Sequence, residues 1–177
     1  MKEVNSDDRA RAIVPMLEQL EYLIEEVEAL KTQLKLVPID VLAARPLDSD
    51  LSLKEIYAML ARRDEEVFVP VIRRIGEGKW LDVNVPDGES LLQSTDWNGS
   101  EMHAILGRVQ RARRELVEAL RSLDAGHYGM PVRLNGENTD LLGLAYWITQ
   151  QDAALLQRAA HRLHDSHLVR TNALQTR

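Results

Sequence analysis

The sequence predicts an all-α fold: one four-helix bundle with a long connection between its second and third helices. Three observations carry this expectation. Four long segments repeat apolar residues at spacings of three and four, the period of a helix that buries one face. Aromatic residues make up only 5% of the 177, against 45% apolar overall, so the core must be built from Leu, Ile, Val and Ala, which suit packed helices. Strand-type alternation is weak and confined to one stretch, WLDVNV. The length suits a single domain over 1–177, with a helical core from about 9 to 165.

The first helix is expected over about 9–36, with Ile13, Leu17, Leu20, Ile24, Val27, Leu30 and Leu34 inward and Pro38 stopping it. The second, over 52–76, opens on a capping box, Ser52 with Glu55 three residues on. Leu53, Ile56, Leu60, Val67, Val71 and Ile75 carry its stripe, Pro70 should kink it or cost one hydrogen bond, and Gly76 and Gly78 end it. A connection of about twenty residues follows, Glu77 to Asn98, with a turn at Pro86, Asp87 and Gly88. Connections of that length often lie over a functional end. The third helix, over 99–124, points Met102, Ile105, Leu106, Val109, Leu116, Leu120 and Leu123 inward, and a loop from Gly126 to Gly136 ends it. The fourth starts at the N-cap pair Thr139–Asp140 and runs to about 165, with Leu141, Leu144, Ala145, Ile148, Leu155, Ala159 and Leu163 inward. Together they are expected to form an antiparallel-type bundle.

Composition narrows the function. With no cysteine, disulfides, thiolate metal sites and cysteine nucleophiles are excluded, and a reducing, cytoplasmic location fits. The net charge of −6 argues against nucleic acid, and the one dense basic run, RVQRARR at 108–114, reads as a solvated helix face. No apolar stretch approaches the roughly 18 residues of a membrane span. The N-terminal MKEVNSDDR has no apolar core after it and does not read as a signal peptide.

Three stretches, taken in order, resemble a known family. SLKEIYAML, Ser52 to Leu60, is similar to the second-helix signature S-x-x-E-x-x-x-H-L of the DinB/YfiT-like four-helix bundles. TDWNGSEM and the GRVQRARRELVEALRSL after it resemble the family's third-helix entry and body. QDAALLQ, Gln151 to Gln157, resembles the H-D-x-x-H-x-x-Q motif of its last helix. The resemblance implies an up-down-down-up bundle, commonly dimeric, with a divalent metal at one end in members that keep the histidine triad. Some members are thiol-dependent isomerases or transferases, and some protect against toxins. Carried onto this chain, the three ligand positions fall on Met59, Gln151 and Leu155. Thioether, neutral amide and alkyl groups are a poor donor set for zinc or nickel. No metal and no cofactor is therefore expected.

The vacated pocket, Met59, Arg63, Gln151, Asp152 and Leu155, is expected to hold a polar cluster with Arg63 as its cation. That cluster serves either as a structural salt bridge or as a site for a small polar or anionic ligand. The leading functional reading is a non-catalytic ligand-binding or self-associating bundle. The alternative is a metal- or thiol-dependent transferase, isomerase or hydrolase that uses the same pocket. A homodimer is expected from apolar residues off the main stripes of the first and fourth helices, Val14, Tyr22, Leu23 and Leu156. His161, His164 and His167, spaced by three, either bind metal or lie solvated at a helix end. His103 and His127 have no sequence partner that suggests catalysis. Trp80, Trp97 and Trp147 either line a pocket near the long connection or pack.

Overall fold

The structure, a computed structural model, describes the backbone of residues 6–45, 47 and 50–175, and the side chains of 11–45, 47 and 50–164. Four long helical rods make up the bundle. The first is α1 (Ser6–Gln33), which tightens into a 3₁₀ turn at Leu34–Leu36 before a short α2 (Ile39–Ala43). The second joins α3 (Leu53–Arg63), a wide π-helical turn (Asp64–Phe68) and α4 (Val69–Gly76). The crossover to the third rod contains β1 (Leu81–Val83) and a short α5 (Gly88–Leu92). The third rod is α6 (Met102–Arg121), followed by the hairpin β2 (Pro131–Leu134) and β3 (Glu137–Asp140). The fourth is α7 (Leu141–Gln175).

Contacts between side chains fix the helix directions. Residue pairs rise together along α3–α4 and α6: Lys54 with Asn98, Glu65 with Arg108, Arg73 with Glu115. These two rods are therefore parallel. Along α1 and α6 the pairs run oppositely, Glu21 with Arg121 and Glu28 with Gln110. Asp50 with Arg162 and Arg113 with Asp152 set α7 antiparallel to the middle pair. The order is up-down-down-up, so the two central rods are not the antiparallel neighbours of a simple meander. Parallel neighbours need a long return path, and the crossover supplies it. Starting from β1, the chain climbs back alongside the bundle, lays α5 against α3 and reaches the start of α6.

Local chemistry accounts for the element ends. Ser52 and Glu55 form the expected capping box, each side chain accepting from the other residue's amide. Pro70 has no N–H to offer. The backbone ahead of it widens, and Val69 N–H reaches Asp64 O five residues back. What sequence alone reads as a kink or a lost bond is this π turn. The region from Gly126 to Gly136, expected as loop, instead contains β2 and the start of a hairpin. Its Asn135-Gly136 corner has positive φ at both residues, 49° and 86°, as a two-residue primed turn requires. β1 joins it in parallel, Leu81 opposite Val132, to make a three-stranded sheet.

The buried apolar residues fall into two clusters. One lies against the sheet and includes Met16, Leu20, Phe68, Ile72, Leu116 and Leu144. The other fills the opposite half and includes Val27, Ile56, Met59, Leu106, Val109 and Leu155. The stripe of α1 is centred slightly off the expected one, with Met16 and Leu23 fully inside. Leu23 is thus a core residue and no part of an exposed strip; Leu156 is half-buried against the core.

Candidate functional site

Between the two apolar clusters lies a charged centre. Arg113 of α6 is 1% exposed. Its Nε donates to Asp64 Oδ2 at 2.8 Å, and its Nη1 faces Asp152 Oδ2 at 2.6 Å. Asp64 is the first residue of the π turn, directly after α3. One cation therefore ties three rods. Burial pushes Asp64 up to about 7, the nearby Asp152 adds to this, and Arg113 pulls the other way. Burial favours neutral Arg113, but its two carboxylate partners outweigh that and hold it above its ordinary range.

This corrects the expectation that Arg63 is the cation of the cluster. Arg113 lies four residues after Val109 and three before Leu116, on the inward stripe of α6. The basic run at 108–114 is accordingly not a purely solvated face. Arg113 and Gln110 are buried, and Arg108 pairs bidentately with Glu65 and lies over the Trp97 ring at 5.1 Å. Arg111 and Arg114 do face out. The missed signal was the period itself, since Arg113 occupies an apolar slot of that stripe.

Beside the charged centre opens a cleft of about 450 Å³ between α3, α5 and α7. Met59, Arg63, Gln151 and Leu155 all line it. Asp152 does not, being turned to Arg113. Met59 and Leu155 are buried and belong to the same apolar cluster. The tip of Met59 lies so close to Gly88 that a Cβ there would overlap Met59 Cε, so the first residue of α5 closes one wall. Asp87, Glu89 and Arg158 stand at the rim. Asp87 caps α5 through Ser90 N, and Arg158 lies 3.8 Å from Asp50. Sequence reasoning did not place α5 here, because no pattern says where a long connection will lie.

Two side chains of the cleft have no hydrogen-bond partner within the protein among the described residues. Arg63 Nε and Nη1 are buried without a hydrogen-bond partner. Burial lowers the Arg63 pKa, opposed by the field of Asp152 and Asp64. Among the described residues the amide of Gln151, half-buried, also has no protein partner. The remaining candidates are scattered. His161 and His164 are exposed on α7, and the side chain of His167 lies outside the described residues. His127 Nδ1 lies 2.8 Å from Asp124 Oδ1, and His103 is exposed on α6. Among the described residues no three His, Asp or Glu side chains converge as a metal-binding group. Trp97 is buried, Trp147 packs edge-on against Phe68, and Trp80 is exposed. No helix of the described residues is long and apolar enough to cross a membrane.

The rod order and the crossover define an up-down-down-up four-helix bundle with a YfiT-like fold. A solved structure with this fold is YfiT from Bacillus subtilis, described as a probable metal-dependent hydrolase with an unusual four-helix bundle topology. It matches with a TM-score of 0.63 over 93% of this chain and 92% of that one, at 13% sequence identity. At that identity the likeness establishes the fold alone. No family model and no curated protein sequence matches the chain.

The metal that such a fold can carry does not fit the side chains present here. Of the three positions, Met59 offers a thioether, already packed on Gly88, Gln151 a neutral oxygen, and Leu155 nothing. A guanidinium lines the same cleft, and its charge repels a cation.

Proposed function

We propose that this chain is a DinB-like bundle that has exchanged its metal centre for a cleft that binds a small anion without catalysis. The carrying observation is Arg63, a cleft-lining guanidinium with two buried nitrogens that have no acceptor. Leaving such donors unmet is costly, and a carboxylate or phosphate against the cleft face of this guanidinium would supply the counter-charge it lacks. Gln151 adds an unpartnered amide on the opposite wall, and Met59 and Leu155 supply a short apolar surface. The ligand class that this lining suits is a compact carboxylate or phosphate. The hydrolase reading attached to YfiT would need a donor set that Met59, Gln151 and Leu155 do not supply.

The test is a thermal-shift titration of untagged protein with acetate, succinate, inorganic phosphate, zinc and nickel. At 100 times its dissociation constant an anion stabilises by about 2.7 kcal/mol, a readable shift. Arg63→Met should abolish that response. Zinc and nickel should give none in the native chain, and the combination Met59→His, Gln151→His, Leu155→His should create one. Stoichiometric metal in the native protein that disappears on Gln151→Ala would overturn the proposal in favour of an enzyme.

Self-association is the second part of the proposal. Val14 at 56% and Tyr22 at 63% exposure leave apolar surface on the outside of α1, and Tyr146 at 40% adds to it on α7.

A further inference from the structure

A second cleft, of about 270 Å³, lies on the other side of α3, between the end of α1, α2 and the start of α6. The up-down-down-up order brings the N-termini of α3 and α6 to this one end, because those rods are parallel. Their positive dipole ends therefore add, where antiparallel neighbours would cancel. At α6 the N-cap residue is Glu101, which makes no side-chain cap. Its carbonyl serves the amides of Ala104 and Ile105, and those of Met102 and His103 have no helical acceptor.

Lysines surround the same space. Lys54, the second residue of α3, is only 1% exposed. Its Nζ donates to the carbonyl of Asn98 at 2.8 Å, and among the described residues no carboxylate lies within ion-pair distance of it. A buried ammonium with no counter-charge is costly to keep. Lys35, exposed on the rim, has no ion pair either, whereas Lys31 is held by Glu28 and Gln110. Glu101 is the one carboxylate of the lining. Below these charges the floor is apolar and buried, formed by Leu34, Leu42 and Leu106.

We propose that this cleft binds an organic anion with an apolar body, of which a medium-chain carboxylate is the simplest form. The head would lie at the free amides that open α6, in the field of buried Lys54 and of Lys35 on the rim, and the chain on the leucine floor. At about 270 Å³ the cleft lies just below the range of about 300 Å³ and upward usual for ligand pockets, which limits the apolar part to a chain of medium length. This site shares no lining residue with the Arg63 cleft and does not depend on it.

Isothermal titration of the full chain with sodium octanoate tests the proposal, with octan-1-ol and acetate as probes lacking the charge or the chain. Because the Arg63 cleft also takes carboxylates under the proposed function, the count is made in Arg63→Met: one octanoate per chain is expected there, bound at least tenfold more tightly than either probe. In ¹H–¹⁵N spectra the Met102 and His103 amides should shift. Lys54→Met should weaken octanoate at this site at least tenfold, and Arg63→Met should leave this site unchanged. Equal binding of octan-1-ol, no saturable octanoate site, or loss with Arg63→Met but not Lys54→Met would each overturn the proposal. If Lys54→Met does not fold, Lys35→Glu with His103→Glu decides, because both positions are exposed. Octanoate affinity undiminished in that variant overturns the proposal as well.

Discussion

Arg113 offers the sharpest test of how the bundle is held. Replacing it by methionine keeps most of the volume and removes the charge. Asp64 and Asp152 would then face one another across the waist of the bundle with no cation in contact; Asp64 is 1% exposed and Asp152 is 9%. Breaking a buried ion pair from one side costs about 3–5 kcal/mol, because the remaining charge stays desolvated. For a chain of this length each kcal/mol moves the midpoint by about 2–4 °C. Arg113→Met should thus melt about 10 °C below the native protein in a calorimetric scan. Removing all three charges, by Asp64→Leu and Asp152→Leu together with Arg113→Met, should restore most of that loss. The pair's desolvation cost disappears along with its attraction. A loss under about 1 kcal/mol for Arg113→Met alone would refute the reasoning, since no buried, doubly paired arginine should be so dispensable.

Three further outcomes are expected. Asn135→Ala should cost about 1–2 kcal/mol in urea unfolding, since it forces alanine into φ 49° and removes the bond from Val85 N to Asn135 Oδ1. With a folded pKa raised to about 7, Asp64 binds more protons in the native state than in the unfolded one above pH 4. Stability should therefore fall as pH rises from about 4 to 7, and Asp64→Asn should flatten that slope. Light scattering at high micromolar concentration should give twice the 20.1 kDa chain mass, and Tyr22→Glu should return the monomer; a monomeric native chain would remove the self-association proposal.

Much of the architecture can be read from particular residues. Ser52 and Glu55 announce the start of the second rod, and the length from Glu77 to Asn98 announces a crossover. Periodicity places Arg113 on the inward stripe, four residues after Val109 and three before Leu116. Its charge resembles that of its exposed neighbours Arg111 and Arg114 and masks that position. The hairpin was hidden for a different reason. Asn135-Gly136 is a strong turn signal, but β2 and β3 are four residues each, too short for alternation to stand out. Leu23 shows the tolerance of a helical stripe, which shifts by one residue without changing the fold. Met59, Arg63, Gln151 and Leu155 could be set together only through a resemblance. Nothing in their spacing says that α3 and α7 meet there, and the Pro86–Asp87–Gly88 turn that opens α5 does not say which wall the helix closes.

The charged centre and the Arg63 cleft are electrostatically one system, and this has a measurable consequence. Asp64 and Asp152 are shared between Arg113, which they contact, and Arg63, which feels their field. With both carboxylates ionised the four groups sum to zero, and much of the pull of Arg63 on an outside anion is spent inside the protein. Protonating Asp64, whose pKa is raised to about 7 by burial, leaves one net positive charge beside the cleft. An anion there should bind more tightly as pH falls from 8 to 6. Acetate is a clean probe, because carboxylic acids with ordinary pKa values near 4 stay ionised over that range. Its affinity should rise several-fold, with the midpoint near the Asp64 value. In Asp64→Asn the high-affinity state should be permanent and the pH dependence gone. Affinity that is flat in the native chain, or still pH-dependent in Asp64→Asn, would separate the two sites and leave Arg63 to act alone.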